Sequence, residues 1–378
     1  MVKPTRRIDA HIHYALPLTP ETLIGFMDKT GIDMANLVMV PHTQRLSCVP
    51  EALMAKYRYP DRFYVFTSLD ASEYFLHPKS LGKHMAAHAK RMLKCGCDGV
   101  KIIEGKPNMR RMMPIPDFDL PCWEPFWAYA EKEQVPILWH VNDPEEYWDP
   151  ARVTEYHKNL GDAYDENDVN NEAQYEQVLH ILQRHPALKI IFAHFYFMSA
   201  QLERLGNLLD TFPKSMVDLT PGSEMYRNFS ENHGQAQAFF RKYQDRIVYG
   251  TDIACRCVMA SRQLPFHEGE NLRRGELIDS FLDPETDEIH EPDGEYLIDV
   301  PPFPMRGIRL DQSALDKIYG GNFQRFARKT PAKVVPKRVV RECRRLRLLL
   351  KMMGLFNRQM QTDDSYVKQA EAFFKSAQ

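Results

Sequence analysis

The chain has 378 residues and a formal net charge of −2, and this near balance gives no sign of binding to nucleic acid or to a membrane. Its seven cysteines, an odd number without a disulfide framework, favour a reducing compartment. Because residues 1–7 lack a signal-peptide pattern and no apolar run approaches the roughly 20 residues of a bilayer span, we expect a cytoplasmic protein.

The first predicted strand, residues 7–13, carries two histidines two residues apart. Side chains alternate between the faces of a strand, so His11 and His13 share one face with Asp9. Two neutral imidazoles side by side form half of a site for a divalent transition metal. At this point a strand that simply ends in polar residues remains the alternative.

Seven more apolar segments predict strands, and helical patterns separate them. The first helix begins after Thr19, with Pro20 at its first position, and ends at Gly31. The later predicted strands are residues 35–40, 63–69, 99–103, 135–141, 188–194, 215–219 and 246–252. The later predicted helices are residues 51–57, 79–93, 121–134, 172–184, 199–209, 236–243 and 313–328, the last interrupted at the glycine pair 320–321. A polar excursion, residues 149–170, follows the fifth strand.

This alternation indicates an α/β protein with a parallel sheet, and eight such units favour a closed (β/α)8 TIM barrel over an open sheet. In a barrel the carboxyl ends of all strands meet at one mouth, where the active site is expected. An open sheet would keep the first and eighth strands apart. The polar exceptions that lie at or near the carboxyl ends of the predicted strands are His13, Lys101, His140, His194 and Asp252.

Two segments accompany the barrel, which we predict for residues 1–330. An acidic insertion after strand eight, at about residues 265–305, includes a run from 276 to 299 without Lys or Arg. The sequence leaves three roles open for this insertion, which are a lid over the mouth, an oligomer contact and a solvated surface loop. Residues 331–378 form a basic helical C-terminal extension, with eight Lys or Arg and one Glu between residues 333 and 351. We expect its apolar stripe to pack on its own domain or on a second subunit, so a homo-oligomer stays open.

The polar exceptions belong to five short motifs, which are Asp9-Ala10-His11-Ile12-His13, Gly99-Val100-Lys101, Trp139-His140, Ala193-His194 and Gly250-Thr251-Asp252. In their order and strand placement these motifs resemble the signature of the amidohydrolase superfamily. The closer resemblance, over about residues 7–328, is to the amidohydrolase-related group with aminocarboxymuconate-semialdehyde decarboxylase, resorcylate decarboxylases and lactonases. The closing segment, residues 319–323, resembles the terminal Gly-x-Asn segment of that group.

This resemblance implies that His11, His13, His140 and Asp252 bind a divalent metal ion. His194 would be the general base or acid at a one-metal site, or a ligand of a second metal. Lys101 stands where some relatives carry a carboxylated lysine between two metals. Our first expectation for Lys101 is contact with a substrate anion, and our second is a bridge between two metals. One metal is expected, or two if Lys101 is carboxylated. We expect zinc, with manganese or iron as alternatives.

Three imidazoles and a carboxylate leave a coordination position open for water, as a catalytic metal site requires. Asp252 would accept a proton from that water, and a histidine such as His194 titrates in the working range. We expect a hydrolase of a small, carboxylated, cyclic ester or amide-type substrate. The alternative is a lyase that decarboxylates an aromatic or enol carboxylate without oxidation. A barrel without turnover is a third hypothesis.

Loops at the predicted mouth supply candidate substrate contacts. Arg110 follows strand four, together with Arg111 and Lys106, and a bidentate Arg suits a carboxylate. Cys255 and Cys257 follow Asp252 closely, and we expect packing rather than metal ligation from them. Histidines on or beside helices, such as His157, are expected to be structural. The candidates after strand seven are Glu224, Tyr226 and Arg227.

Overall fold

A computed structural model describes residues 6–42, 44–222, 224–254, 256–257, 263–264, 266–283, 288–289, 304–356 and 362–378. Eight short parallel strands, each paired with the next along the chain, form its central sheet. They are β1 (Ile8–His13), β2 (Met34–Val38), β3 (Phe63–Thr67), β4 (Gly99–Ile102), β5 (Ile137–Trp139), β6 (Ile190–Phe192), β7 (Ser215–Asp218) and β8 (Ile247–Val248).

The sheet closes through a second piece of strand eight. This piece, β9 (Ile253–Ala254), pairs in parallel with β1, while β8 pairs with β7. Between the two pieces, the Ala10 amide donates to the carbonyl of Tyr249 at 3.0 Å and the Asp252 amide donates to the carbonyl of His11 at 2.9 Å. The first and eighth strands therefore meet, and the prediction of a (β/α)8 TIM barrel is confirmed.

Asp9 joins these two strands through its side chain. Its Oδ2 accepts a hydrogen bond from the Thr251 hydroxyl at 2.5 Å, and its Oδ1 accepts from the backbone amides of Thr251 at 3.2 Å and His11 at 3.0 Å. The side chain is fully buried, and burial raises its pKa to about 7. Asp9 thus holds the barrel closed at the place where the histidine pair lies.

Helices surround the barrel, and α1 shows why the sequence predicts them. Thr19 accepts a hydrogen bond from the amide of Thr22, Pro20 opens the helix, and Gly31 ends it in a left-handed conformation with φ 71°. The helices are α1 (Pro20–Thr30), α2 (Val49–Arg58), α3 (Glu73–Leu76), α4 (Leu81–Cys95), α5 (Pro107–Met112), α6 (Glu124–Lys132), α7 (Glu155–Leu160), α8 (Asn171–Arg184), α9 (Leu202–Thr211), α10 (Met225–Glu231), α11 (His233–Lys242), α12 (Glu268–Leu282), α13 (Gln312–Asp316), α14 (Asn322–Phe326), α15 (Pro336–Phe356) and α16 (Ser365–Ser376). One π-helical turn, Lys317–Gly321, joins α13 to α14, so the backbone stays helical through the glycine pair where we expected an interruption.

Strand side chains alternate between the barrel interior and the surrounding helices. Leu138 packs with Tyr64, Phe66 and Ile191 inside the barrel, whereas its neighbours on β5 pack against helices. Lys101 pairs in register with Leu138 and therefore shares this inward orientation. A lysine inside an apolar strand is thus directed into the barrel.

The start of the predicted acidic insertion is a helix of the barrel layer rather than an acidic loop. Helix α12 buries Leu277, Ile278 and Phe281, and the Phe281 ring lies 5.0 Å from that of Tyr226. Residues 284–287 and 290–303, which hold most of the acidic run, lie outside the described residues. The shorter strands after β9 form two antiparallel pairs, β10 (Arg256–Cys257) with β11 (Gln263–Leu264) and β12 (Glu288–Ile289) with β13 (Met305–Arg306).

The basic C-terminal extension packs on its own domain. Helices α15 and α16 bury their apolar residues in one cluster with side chains of α2 and α4. Arg345 of α15 pairs with Asp70, which follows β3, at 2.7 Å, and with Glu342 at 2.7 Å. Burial alone would raise the pKa of Asp70, but His88 and Arg345 outweigh it and lower that pKa to about 2. Among the described helices, none is long and apolar enough to cross a bilayer.

The ion pair between Asp70 and the extension predicts that Arg345→Ala lowers the free energy of unfolding by about 2 kcal/mol, because the variant leaves a buried carboxylate without its guanidinium. The stability that the low pKa of Asp70 supplies is present above about pH 3.8 and is lost as the pH falls toward about 2. In the variant the pKa of Asp70 rises toward its ordinary value, so this loss of stability in acid is smaller. Urea unfolding at several pH values measures both effects. Arg341→Ala, at an exposed position of the same helix, is the control, and equal stability of the two variants contradicts the prediction.

Candidate metal centre

Three donor side chains from the closed strands converge at the mouth of the barrel. His11 and His13 come from β1, and Asp252 comes from the link between β8 and β9. One ligand atom of each lies within 4.8 Å of the others, and all three residues are buried. The Nε2 atoms of His13 and His11 lie 3.0 Å and 3.6 Å from Oδ1 of Asp252. The strand closure therefore creates a group of two imidazoles and one carboxylate.

A buried carboxylate orients His11. Nδ1 of His11 lies 2.9 Å from Oδ2 of Asp218, the last residue of β7. Because a carboxylate accepts a hydrogen bond, Nδ1 carries the proton and Nε2 presents its lone pair to the centre. The Nζ atom of Lys101 lies 3.1 Å from this Nε2. Burial lowers the pKa of Lys101 to about 8, against the opposing effect of Asp218 and Asp252.

His140 and His194 stand beside this group and contact each other. Nε2 of His194 lies 3.1 Å from Nδ1 of His140, and Nε2 of His140 lies 3.1 Å from Oδ1 of Asp143. Burial holds the pKa of both imidazoles well below its ordinary value, and neighbouring cations and imidazoles add to this effect. To join His11, His13 and Asp252 around one cation, His140 would have to leave one of these two partners. His140 and His194 stay a predicted ligand and a predicted catalytic residue.

Both predicted catalytic residues have left-handed backbones. His194 has φ 55° and begins a run of four such residues that ends at Phe197, while Asp252 has φ 54°. For residues other than glycine this conformation costs about 1–2 kcal/mol each. Burial of the intervening rings offsets the cost, because Phe195 and Tyr196 are at most 1% exposed. Strain at functional positions is typical of active sites.

An arginine of α12 fixes Asp252. The Nη1 atom of Arg274 donates to the backbone carbonyl of Asp252 at 3.0 Å and lies 3.6 Å from its Oδ2. Arg274 is 3% exposed. The sequence interpretation assigned this residue to an acidic insertion and therefore missed it. The local sequence pattern does not distinguish Arg274 from its neighbour Arg273. Only the tertiary structure decides that Arg274 is the one that contacts Asp252.

A small cavity opens above the group, with a volume of about 100 Å³. This is below the about 300–1,000 Å³ of typical ligand pockets, so the buried part of a ligand is small. The polar excursion after β5 forms one wall, which includes His157, although we expected this histidine to be structural. The Tyr147 hydroxyl lies 2.9 Å from the His157 ring nitrogens. The lining residues are His13, Ile103, Lys106, His140, Asp143, Pro144, Tyr147, His157, Leu160, Asp162, His194, Phe197, Gly222 and Asp252.

Of the three basic residues after β4, Lys106 lines the cavity. Its Nζ lies 3.2 Å from Oδ1 of Asp143 and 3.6 Å from Oδ1 of Asp162. Arg110 instead donates to Oδ1 of Asp117 at 2.7 Å and packs over Phe118. The geometry thus directs Lys106, rather than Arg110, toward the space where a ligand would bind.

The candidates after β7 lie behind the cavity wall. Tyr226 is buried, and its hydroxyl donates to the carbonyl of Leu219 at 3.0 Å. The Glu224 carboxylate packs directly behind Gly222, where an added Cβ would lie 2.8 Å from Oε2. Burial of its oxygens, followed by repulsion from Glu146, raises the pKa of Glu224 to about 8. Arg227 belongs to α10, outside the lining described above. All three stay predicted substrate contacts.

Asp218 is the functional residue that the sequence interpretation overlooked most plainly. Its Oδ1 accepts hydrogen bonds from the His194 amide at 2.7 Å and from the Thr220 hydroxyl at 2.5 Å, while Oδ2 orients His11. It therefore links a predicted ligand to a predicted catalytic residue. The signal was available, because a carboxylate at the carboxyl end of a barrel strand is unusual in an otherwise apolar segment.

The donor set suits a divalent transition cation. Imidazole nitrogens and a carboxylate oxygen are the ligands that Zn²⁺, Mn²⁺ and Fe²⁺ share, and a carboxylate beyond a ligand histidine is the usual support. The buried His11, His13 and Asp252 provide the first part, and Asp218 provides the second. The residues present therefore fit a metal ion, without selecting among these metals.

Several solved structures share this fold. They include the 2,6-dihydroxybenzoate decarboxylase from Rhizobium, at 14% identity over 85% of this chain and 98% of that one, with a TM-score of 0.51. The dihydroxybenzoic acid decarboxylase from Polaromonas, which holds manganese and 2-nitroresorcinol, has 13% identity over 85% and 96%, with a TM-score of 0.51. An uncharacterised TIM-barrel protein from Bordetella bronchiseptica has 14% identity over 85% and 98%, with a TM-score of 0.51. No curated protein matches the chain.

The family follows from the sequence as a whole. The family model described as Amidohydrolase matches residues 8–326, which begins at β1 and ends in α14. The match includes every strand of the barrel and each side chain of the centre described above. The chain therefore belongs to the amidohydrolase family and is an enzyme of that family.

Proposed function

We propose that this protein is a metal-dependent hydrolase of a small, carboxylated, cyclic ester or amide-type substrate. The observation that carries the proposal is the convergence of His11, His13 and Asp252 within 4.8 Å at the mouth of the barrel. His140 is the fourth proposed ligand. When bound there, a divalent cation supplies Lewis acidity, which polarises a carbonyl and lowers the pKa of water.

The side chains of this site can move the protons that hydrolysis requires. Asp252 is held between His13 and Arg274, so its carboxylate is positioned to accept a proton from an attacking water. Asp252 can then give this proton to the leaving group, so the proton taken from water is the one that the leaving group gains. Nε2 of His194 lies 3.1 Å from Nδ1 of His140, which places His194 beside the site as a second candidate acid or base.

The position of Lys106 in the cavity wall favours a substrate that carries an anionic group. Its ammonium lies in the cavity wall beside Asp143 and Asp162, and a substrate carboxylate would compete with these residues for it. The small cavity favours a single ring or a short chain in the buried position. A small-molecule substrate thus remains the proposed partner, while the cytoplasmic location and a homo-oligomer remain predictions.

Decarboxylation is the second candidate reaction. Two proteins with the same fold are named dihydroxybenzoate decarboxylases. The same donor set would hold an aromatic or enol carboxylate, and an acid at His194 or Asp252 would protonate the carbon that loses CO₂. The two reactions differ in their product, so a product assay distinguishes them.

We predict that metal removal by a chelator abolishes turnover and that added Zn²⁺ or Mn²⁺ restores it. His13→Ala should lower both the metal affinity of the centre at the mouth and turnover at least about 100-fold, because it removes a donor of the converging group. Carboxylated lactones and cyclic amides, assayed by acid release, test hydrolysis, and hydroxybenzoates assayed by CO₂ release test the lyase. His180→Ala, at an exposed histidine paired with Asp119 at 2.7 Å, is the control. Full metal content in His13→Ala would reject the proposed centre.

Asp218→Asn should weaken metal binding about 10- to 100-fold, because an amide no longer holds the His11 ring with its lone pair directed at the centre. Competition with a chromophoric chelator measures this affinity. The matched control is Asp210→Asn, since Asp210 is a surface carboxylate that pairs with Lys242 at 2.8 Å. If both variants bind metal as tightly as the wild type does, the orienting role of Asp218 is wrong.

The raised pKa of Glu224 predicts that the KM for an anionic substrate depends on pH. Below about pH 8 its carboxyl is neutral, and above that pH it adds a negative charge behind Gly222 that repels an anionic substrate. The KM of the wild type should therefore rise above about pH 8, and that of Glu224→Gln should not. Because the pKa of Glu224 is raised in the folded protein, the free energy of unfolding should fall as the pH rises from about 4.5 to about 8. Glu224→Gln has no carboxyl at this position and should not show this fall. Glu203→Gln, at an exposed site on α9, is the control, and parallel KM profiles for all three proteins would contradict the prediction.

A further inference from the structure

A second group of side chains that could hold a metal ion lies outside the lining of the mouth cavity. Glu73 is the first residue of α3, His77 follows that helix directly, and His84 lies in the first turns of α4. The mouth cavity is lined by other residues. Within the described part of the chain, this group and the one with His11 are those whose donor atoms lie close enough to hold a cation.

One carboxylate oxygen joins the two imidazoles. Oε2 of Glu73 lies 2.5 Å from Nδ1 of His77 and 3.3 Å from Nδ1 of His84. The two imidazole rings are stacked, with centroids 3.7 Å apart and planes inclined by 11°. The three ligand atoms all lie within 4.8 Å of one another.

The stacked arrangement places two nitrogen donors beside one carboxylate. The Glu73 side chain is 10% exposed, and its carboxylate charge is therefore only weakly solvated. A cation at this place would receive the two nitrogen donors and would neutralise a largely buried anion.

The chain geometry holds the donors together and leaves a path for an ion. Glu73 and His77 are four residues apart, so they share one face of the helical turn, and the His77 amide donates to the Glu73 carbonyl at 3.0 Å. His77 and His84 are 42% and 32% exposed. Because both Nδ1 atoms face the Glu73 carboxylate, an ion bound between the three side chains would take the place of the proton in each of these contacts.

We propose that Glu73, His77 and His84 form a second divalent transition-metal site, outside the catalytic mouth. Two imidazoles and one carboxylate are the ligand set of several zinc sites, and they also suit Cu²⁺ and Ni²⁺. The open coordination positions face solvent. A bound ion would tie α3 to α4, and this site is independent of the reaction at the mouth.

Zinc binding to the full-length protein tests the proposal. After metal removal, we expect the wild type to bind two Zn²⁺ ions per chain in equilibrium dialysis with elemental analysis. The double variant His77→Ala/His84→Ala should lose one ion, with the affinity of that class reduced at least about 100-fold. The double variant His11→Ala/His13→Ala should lose the other ion and retain this one.

Two further variants keep the result interpretable. Glu73→Gln preserves the shape of the side chain but removes its charge, so it should weaken the second class of sites while circular dichroism stays unchanged. His180→Ala removes an exposed histidine elsewhere and should keep both ions. The proposal is overturned if the wild type binds no second ion or if His77→Ala/His84→Ala binds both ions with unchanged affinity. Failure of the His11 and His13 variants to lose metal would count against the catalytic centre alone.

Discussion

Closure between the first and the eighth strand is the constraint on which the site depends. Asp9 bonds to Thr251 across this seam, and the backbone amide of Asp252 bonds to the carbonyl of His11. Without these contacts, His13 and Asp252 would belong to opposite edges of an open sheet. The same hydrogen bonds that complete the fold therefore bring the donor atoms within reach of one cation. The closure of the fold and the convergence of the donor atoms therefore share one physical cause.

Inside the mouth, burial and mutual contacts have opposite effects on the charged side chains. Lys101, Asp218, Asp252 and four histidines are buried together, and burial alone would disfavour the charge on each of them. Their mutual contacts offset part of that cost, since Asp218 bonds to His11 and to the His194 amide. A divalent cation would offset more of it, because it would add positive charge beside the Asp252 carboxylate. The arrangement is thus built around positive charge at its centre.

The segments outside the barrel divide into structural and functional parts. The basic extension is structural, since α15 buries its apolar stripe on the barrel helices and Arg345 reaches Asp70. The polar excursion after β5 is functional in position, since it supplies His157, Leu160 and Asp162 to the cavity wall. We expected the extension to pack on its own domain or on a second subunit, whereas the sequence suggested no role for the polar excursion.

The sequence by itself determined the number and order of the strands, the ends at which His13, His140, His194 and Asp252 stand, and the family. These features are local, because strand periodicity and the residues that end a strand are read within a few positions. Tertiary structure decided that Asp218 orients His11, that Arg274 fixes Asp252 and that Arg110 turns to Asp117. It also decided the left-handed backbone conformation at His194, which the local sequence does not predict because it contains no glycine. Such partners are 7 to 207 residues apart along the chain, so long-range packing selects them.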